Sequence, residues 1–347
     1  MPFGHLTVRV TAASLLLAAM APAGAAPTRL APLQIGLLDR LTWGADAGDA
    51  ERLARLGTTR WLETQLHPAT TPVLPPEIAA RIAALPLPAE PLPITVQTLD
   101  DLNKAANALT DPDVKAAAKK VYNDALGAAG HAAAARSILR AIYSPDQLQE
   151  QLTWFWMNHF NVHLGKNNIR LVIGDYEETA IRPHALGRFR DLLEATLRHP
   201  AMLGYLDNAQ NAAGHVNENY AREIMELHTM GVGSGYSQKD VQELARILTG
   251  VGIDPRPEDP KVRPEYAGQL IRAGLFEYNP NRHDYGDKEF LGHTIHGQGF
   301  AEVEEALDIL AAQPATAHHV CARLAQYFVG DTPPPALVDR MAAVFTR

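Results

Sequence analysis

Apolar residues recur at the spacing of an α-helix in almost every patterned segment of this chain. The segments that predict helices are 46–56, 58–66, 75–85, 111–127, 130–143, 144–162, 175–181, 187–198, 199–206, 218–230, 237–248, 300–312, 315–329 and 335–347. The tract 251–299 is instead rich in proline, glycine, tyrosine and charge, so we expect irregular loops there, with one hairpin near 270–278. The sequence therefore predicts a mainly α fold, a multi-helix bundle-like array with a long irregular loop region at about 251–299.

Proline marks a break inside the helical part. Segment 85–95 reads LPLPAEPLPIT, and four prolines at this spacing predict an extended linker rather than a helix. The composition, 46% apolar and 20% charged, is that of a globular protein, and we expect 27–347 to form a single all-helical domain. The predicted last helix stops with the sequence, without a C-cap or tail, so we expect a truncated C-terminus.

The N-terminus has the pattern of a secretory signal peptide. His5 and Arg9 precede a short apolar run, TAASLLLAAM, and small residues follow at Ala23–Ala26. We therefore predict a signal peptide at 1–26 and a periplasmic or extracellular bacterial protein. No other apolar run is long enough for a membrane helix, so we expect no membrane span after cleavage. The formal net charge of −8 argues against nucleic acid as a partner.

The segment from Asn217 to Gly250 has the highest density of ionisable groups. On a helix over 218–230, His228 falls in the apolar arc with Leu227 and Ile224. Glu218, Arg222, Glu226, Asn219 and Glu223 fall on the opposite arc. This polar face has two interpretations: a solvated ion-pair ladder with i,i+4 spacing, or the lining of a cleft that holds a metal or a cationic group.

A second histidine lies in the helix predicted from Ser144, which has an N-cap serine, Pro145 in the first turn and Gln147 at the capping-box position. His159 falls near the centre of that helix's apolar arc, and His163 follows one turn later. Two histidines at this spacing could bind a metal, or His159 could be a core histidine bonded to a carbonyl or carboxylate.

Three further positions have local patterns that limit their roles. His283-Asp284 forms a polar clasp in a loop whose acidic residues are out of register with a calcium-binding loop, which excludes an EF-hand. Asp240 fits the capping box that Ser237 opens. Cys321, the only cysteine, is predicted to be buried, and the absence of CxxCH excludes covalent haem. The cofactor otherwise stays open, with a divalent metal as one hypothesis.

The assembled motifs resemble a bacterial secreted family catalogued as domain of unknown function 1800. The matching segments are Trp154–Lys166, Asn217–Val232, Gly235–Gly250, His283–Gly292 and Gln313–Asp331, which occur in the family's order. The resemblance implies a secreted, mostly helical protein, often encoded beside a second secreted protein of a sulfatase-like family, and relatives that continue beyond this chain's last residue. Val251 replaces a tryptophan of the pattern, and His163 is not part of it, which weakens a metal-binding pair.

No catalytic signature is present, so the reaction cannot be read from the sequence. We expect a cell-envelope hydrolase with a His/carboxylate site, or alternatively a non-enzymatic module that binds or assembles with a co-secreted partner protein or an envelope polymer. The candidate catalytic residues are His228, Glu223, Glu226, His159, His283 and Asp284. The candidate binding residues, which the resemblance supplies, are Lys166, Asn219, Arg222, Asp240, Arg246 and Lys288.

Overall fold

The computed structural model describes residues 29–68, 73–88 and 90–347, so the predicted signal peptide lies outside the described residues. The fold is mainly α, as predicted, with 63% helix and 5% strand. The α-helices are α1 (Pro32–Leu41), α2 (Ala47–Leu56), α3 (Thr58–Leu66), α4 (Pro76–Ala83), α5 (Leu92–Ala108), α6 (Pro112–Tyr143), α7 (Gln147–His159), α8 (Ile169–Asp175), α9 (Phe189–Arg198), α10 (Pro200–Tyr205), α11 (Asn219–Glu223), α12 (Gln238–Ile247), α13 (Phe300–Ala312), α14 (Pro314–Phe328) and α15 (Pro335–Phe345).

Two π-helical turns interrupt this pattern, at Tyr176–Ile181 after α8 and at Ile224–His228 after α11. A π-turn closes i→i+5 hydrogen bonds and contains one residue more than an α-turn. The side chains that follow such a turn are therefore rotated away from the positions that a regular helix would give them. Only the second of these turns carries residues predicted for the functional site.

The helix predicted in two parts, 111–127 and 130–143, is one helix, α6. Gly130 lies inside α6 without breaking it, and Gly174 allows α8 to approach α6 closely. A β-carbon built on Gly130 would lie 3.5 Å from the Arg170 side chain, and one on Gly174 would lie 3.0 Å from Ala133. Close helix packing therefore accounts for Gly174, whereas the contact at Gly130 is an ordinary van der Waals distance.

Two helix starts differ from their predictions. The proline-rich segment is non-helical only up to Pro91, because α5 begins at Leu92 and places Pro93 in its first turn, where the missing N–H is not needed. Ser144 ends α6 rather than capping α7, and its Oγ accepts from the Asp146 N–H at 3.2 Å. The helix α7 then begins at Gln147 and ends at His159, earlier than predicted.

The loop region contains two small antiparallel sheets. Strands β1 (Val251–Ile253), β2 (Ile271–Ala273) and β3 (Phe276–Tyr278) pair in the order β1-β3-β2, which confirms the predicted hairpin and adds one strand. Strands β4 (Lys288–Phe290) and β5 (His293–Ile295) form a second hairpin. Strands of three residues are too short to show an alternating pattern in the sequence. Because these strands are present, the described chain is mainly rather than wholly helical.

The largest hydrophobic cluster surrounds α7 and the two π-turns and includes Trp156, Phe160, Tyr176 and Tyr220. A second cluster joins α1, α2 and α3, and a third packs Cys321 of α14 against α15. Cys321 is buried, as predicted, and burial raises the pKa of its thiol to about 11. Within the described ranges, no helix combines the length and the apolar character needed to cross a bilayer.

Candidate functional site

The π-turn Ile224–His228 determines where the predicted catalytic residues of this segment point. It leaves Leu227 51% exposed, although the helical projection placed Leu227 in the buried arc. That prediction is wrong because the extra residue of the π-turn changes the angle between successive side chains. His228 and Ile224 are buried as predicted.

Side chains and loop amides satisfy the carbonyl groups that the π-turn leaves free. Thr229 Oγ1 donates to Ile224 O at 2.7 Å, and the Gly231 N–H donates to Met225 O at 3.1 Å. The His159 ring donates from Nε2 to His228 O at 2.9 Å, and His319 Nε2 lies 3.4 Å from Leu227 O. The two imidazoles therefore act as caps at the C-terminal end of the turn. His159 thus has the bonded-core role that was one of its two predicted interpretations.

Burial holds His159 and His228 in their neutral form. Burial lowers the pKa of His159 to about 4 and that of His228 to about 3, where the neighbouring His159 lowers it further. Their ring centroids lie 6.3 Å apart, and neither ring is paired with a carboxylate in the described part of the chain. His163 lies in the exposed turn beyond α7, so it does not continue the helical face of His159.

Glu218 and Glu226, on either side of α11, form with Arg222 the ion-pair ladder that was one of the two interpretations of this polar face. Arg222 binds Glu218 at 3.2 Å and Glu226 at 3.4 Å, and its guanidinium also donates to Gln238 of α12 at 2.7 Å. All of these groups are partly exposed to solvent. Burial and the charge of Glu226 together raise the pKa of Glu223.

We expect Arg222→Ala to lower the free energy of unfolding by less than about 1 kcal/mol, because partly exposed i,i+4 pairs are screened by water. Urea unfolding at pH 7, followed by circular dichroism, measures this change. A loss of several kcal/mol would show instead that the ladder supports a buried or occupied site.

His283 belongs to a fully buried polar cluster in the loop region. Its Nδ1 lies 2.8 Å from Thr249 O, and its Nε2 lies 2.9 Å from Glu302 Oε1. The other oxygen of Glu302 accepts from Lys288 Nζ, which also donates to Asp284 O. Solvent does not reach the side chains of His283, Lys288 and Glu302. The cluster therefore fixes the loop region to α13 and is closed to a substrate.

The cluster's central carboxylate was missed from the sequence. Glu302 is the third residue of α13 and accepts from the Gln298 and Gly299 N–H groups at 2.7 and 2.9 Å. Burial alone would raise the pKa of its carboxyl, but the bonds from His283 and Lys288 hold that pKa below its usual range. A glutamate at the third helix position is the signal that could have identified it.

Asp284 pairs with the loop-side face of α12. Arg246 donates from Nε to Asp284 Oδ2 at 2.9 Å and from Nη1 to Glu243 Oε2 at 2.7 Å. The bond from Arg246 is the main cause that lowers the pKa of Asp284, although partial burial opposes it. This arrangement joins two elements through a partly buried ion pair and leaves Asp284 without a catalytic partner in the described residues.

The remaining predicted binding residues support loops. Lys166 Nζ contacts Asp207 Oδ2 at 2.7 Å, and Asn219 Nδ2 donates to Leu206 O at 3.1 Å. Asp240 completes the predicted capping box with Ser237 and also accepts from the Leu291 N–H at 2.8 Å. Across residues 29–68, 73–88 and 90–347, no three His, Cys, Asp or Glu side chains are grouped to hold a metal ion.

A further buried ionic cluster, also missed from the sequence, lies at the first π-turn. Arg182 donates to Glu150 of α7 and to Glu177 and Glu178 of the turn. Burial raises the pKa of Glu177. A charged cluster enclosed in this way orders the helices around it and offers no access to a ligand.

An open cleft of about 310 Å³ lies between α7 and α14. Its lining residues are Trp154, Phe155, Asn158, His159, Arg323, Gln326 and Tyr327. The lining residues of α7 lie about one turn apart on one side of that helix. The lining residues of α14 likewise share one side of α14. This cleft is one accessible site that the structure adds to the sequence prediction, and His159 is the candidate residue among its lining.

Aromatic rings form the apolar part of the cleft lining. Trp154 is 49% exposed, and its ring packs edge-on against exposed Trp43, with centroids 5.8 Å apart. Tyr327 is exposed on one face and packs against Phe155, and its hydroxyl donates to Gln151 Oε1 at 2.5 Å. A tryptophan outside the apolar arc of α7 was the signal in the sequence, because exposed large aromatic residues mark binding surfaces.

Residues 36–347 match the model of the family described as protein of unknown function (DUF1800). Searches of curated proteins and of solved structures found no match. The family match covers nearly all of the described chain, including both helices of the cleft and both buried ionic clusters. The chain therefore belongs to the DUF1800 family.

Proposed function

We propose that this protein is a non-enzymatic binding module of the bacterial cell envelope that holds a saccharide polymer in the cleft between α7 and α14. The observation that carries the proposal is the exposed aromatic surface of Trp154 and Tyr327 beside the planar polar side chains of Asn158 and Gln326. Sugar rings present apolar C–H faces that pack on aromatic rings, and their hydroxyl groups bond to amide side chains.

The size and the composition of the cleft support a ligand larger than an ion. A volume of about 310 Å³ lies within the range of small-molecule sites, and the cleft is open to solvent. No aspartate or glutamate is among its described lining residues. Because glycosidic hydrolysis generally uses a pair of carboxyl groups, this lining supports binding rather than hydrolysis.

The polar residues that suggested a hydrolase also have structural partners. His159 and His319 cap the π-turn, Glu302 and Lys288 pair out of solvent, and Arg222 bridges carboxylates of its own helix. These contacts support the scaffold hypothesis, in which the polar signature positions helices. The envelope location follows from the predicted signal peptide and is part of the proposal.

A glycan array of neutral and acidic bacterial saccharides tests the proposal. We expect the purified protein to be retained by a subset of the saccharides, and Trp154→Ala to weaken that binding at least about tenfold, since a central tryptophan contributes heavily to interfaces. Tyr143→Ala is the matched control, because Tyr143 is an exposed aromatic residue of α6 outside the cleft.

Three outcomes would overturn the proposal. One is no retention by any saccharide of the array, and another is equal loss of binding in Trp154→Ala and Tyr143→Ala. The third is release of new reducing ends from a bound polysaccharide, which would identify the protein as a hydrolase. Binding that is lost only in Trp154→Ala, without release of reducing ends, supports the module.

A further inference from the structure

The charge of the cleft is opposite in sign to that of the whole chain. Arg323 of α14 is exposed in the cleft and forms no ion pair within the described ranges. The described lining contains no carboxylate, while the chain as a whole has a formal net charge of −8. An unpaired guanidinium in a carboxylate-free cleft makes this part of the surface locally positive.

Arg323 lines the cleft together with His159, whose ring caps the π-turn. Burial is the main cause that lowers the pKa values of His159 and His319, and the positive charge of Arg323 lowers both further. These shifts agree with the position of Arg323 beside His159 in the lining of the cleft. With both rings neutral, the guanidinium carries the positive charge of the cleft.

We propose that the cleft selects acidic saccharides, an inference that rests on the proposed function. The uronic-acid carboxylates pair with Arg323, while adjacent sugar rings pack on Trp154 and Tyr327. A guanidinium binds a carboxylate through two parallel N–H···O bonds, which is a geometry that a neutral hydroxyl group cannot reproduce. Asn158 Nδ2 donates to Trp154 O at 2.7 Å, so the Asn158 Oδ1 and the Gln326 amide remain for the hydroxyl groups of the same ligand.

Calorimetric titration with oligogalacturonate and with its methyl ester tests the selection, because the two probes share a backbone and differ in charge. We expect the acid to bind about tenfold more tightly than the ester at low salt, and this preference to fall as salt rises. Arg323→Gln should remove most of the preference, and Arg323→Lys should retain part of it.

Arg340→Gln is the matched control, since it removes the same charge from an exposed position on α15 outside the cleft. Equal affinity for acid and ester, or equal effects of Arg323→Gln and Arg340→Gln, would overturn the inference. The saccharide module would still be supported if both probes bind and Trp154→Ala abolishes the binding of both. If neither probe binds while the array retains only neutral saccharides, the selection for acids is wrong and the module stands.

Discussion

Glu302→Ala is expected to lower the free energy of unfolding by about 3–5 kcal/mol, because it leaves a buried ammonium group without its counter-charge. Lys288 has no solvent exposure, and its Nζ depends on Glu302 and on Asp284 O. The substitution also removes the acceptor for His283 Nε2 and for the Gln298 and Gly299 N–H groups. Urea unfolding at pH 7 measures the loss.

Glu304→Ala is the matched control on the same helix. Glu304 is about half exposed, and its pair with Arg198 is 3.5 Å long, so we expect a loss below about 1 kcal/mol. A double variant, Lys288→Met with Glu302→Gln, removes both charges of the buried pair. It should be less destabilised than the sum of the two single variants. Equal losses in Glu302→Ala and Glu304→Ala would contradict the assigned role of the cluster.

Local signals predicted well where one segment contains both partners of an interaction. The Ser237–Asp240 capping box is formed as predicted, because a side chain and the amide three residues away meet in any helix that starts there. The ladder of Glu218, Arg222 and Glu226 likewise needs only helical spacing. Mainly α architecture follows from the sum of many such segments.

Predictions failed where the decisive partner is distant in the chain. Glu302 reads as an ordinary first-turn acid until Lys288 reaches it. The π-turn at Ile224 depends on imidazoles supplied by α7 and α14, so no projection of a single helix shows it. The order of elements along the sequence does not state which helices become neighbours.

The candidate site shows the same limit. His159 was found because a histidine in an apolar arc is conspicuous, whereas its cleft neighbours Arg323 and Tyr327 lie on a helix far along the chain. Trp154 was visible in the sequence, but exposure of an aromatic side chain acquires meaning only when a second helix faces it. Function prediction therefore required the packing of α7 beside α14.

Acidification should destabilise the protein through His159 and His228. An imidazole in an unfolded chain has a pKa near 6.5, while in the folded protein burial lowers these two values to about 4 and about 3. The stability that depends on their neutral forms is complete above about pH 6.5 and is lost progressively as pH falls toward the folded values. At pH 5 the loss is about 2 kcal/mol for each imidazole.

Unfolding free energies of the protein and of His159→Gln at pH 7 and pH 5 isolate one of these contributions. Glutamine can keep the N–H donation to His228 O but does not titrate, so the difference between the two pH values should shrink by about 2 kcal/mol. His131→Gln on α6 is the matched control, because an exposed imidazole keeps its water contacts in both states. If both variants show the pH dependence of the parent, the His159 ring is not held neutral at the end of the π-turn, and the cap that connects α7 to that turn is wrongly assigned.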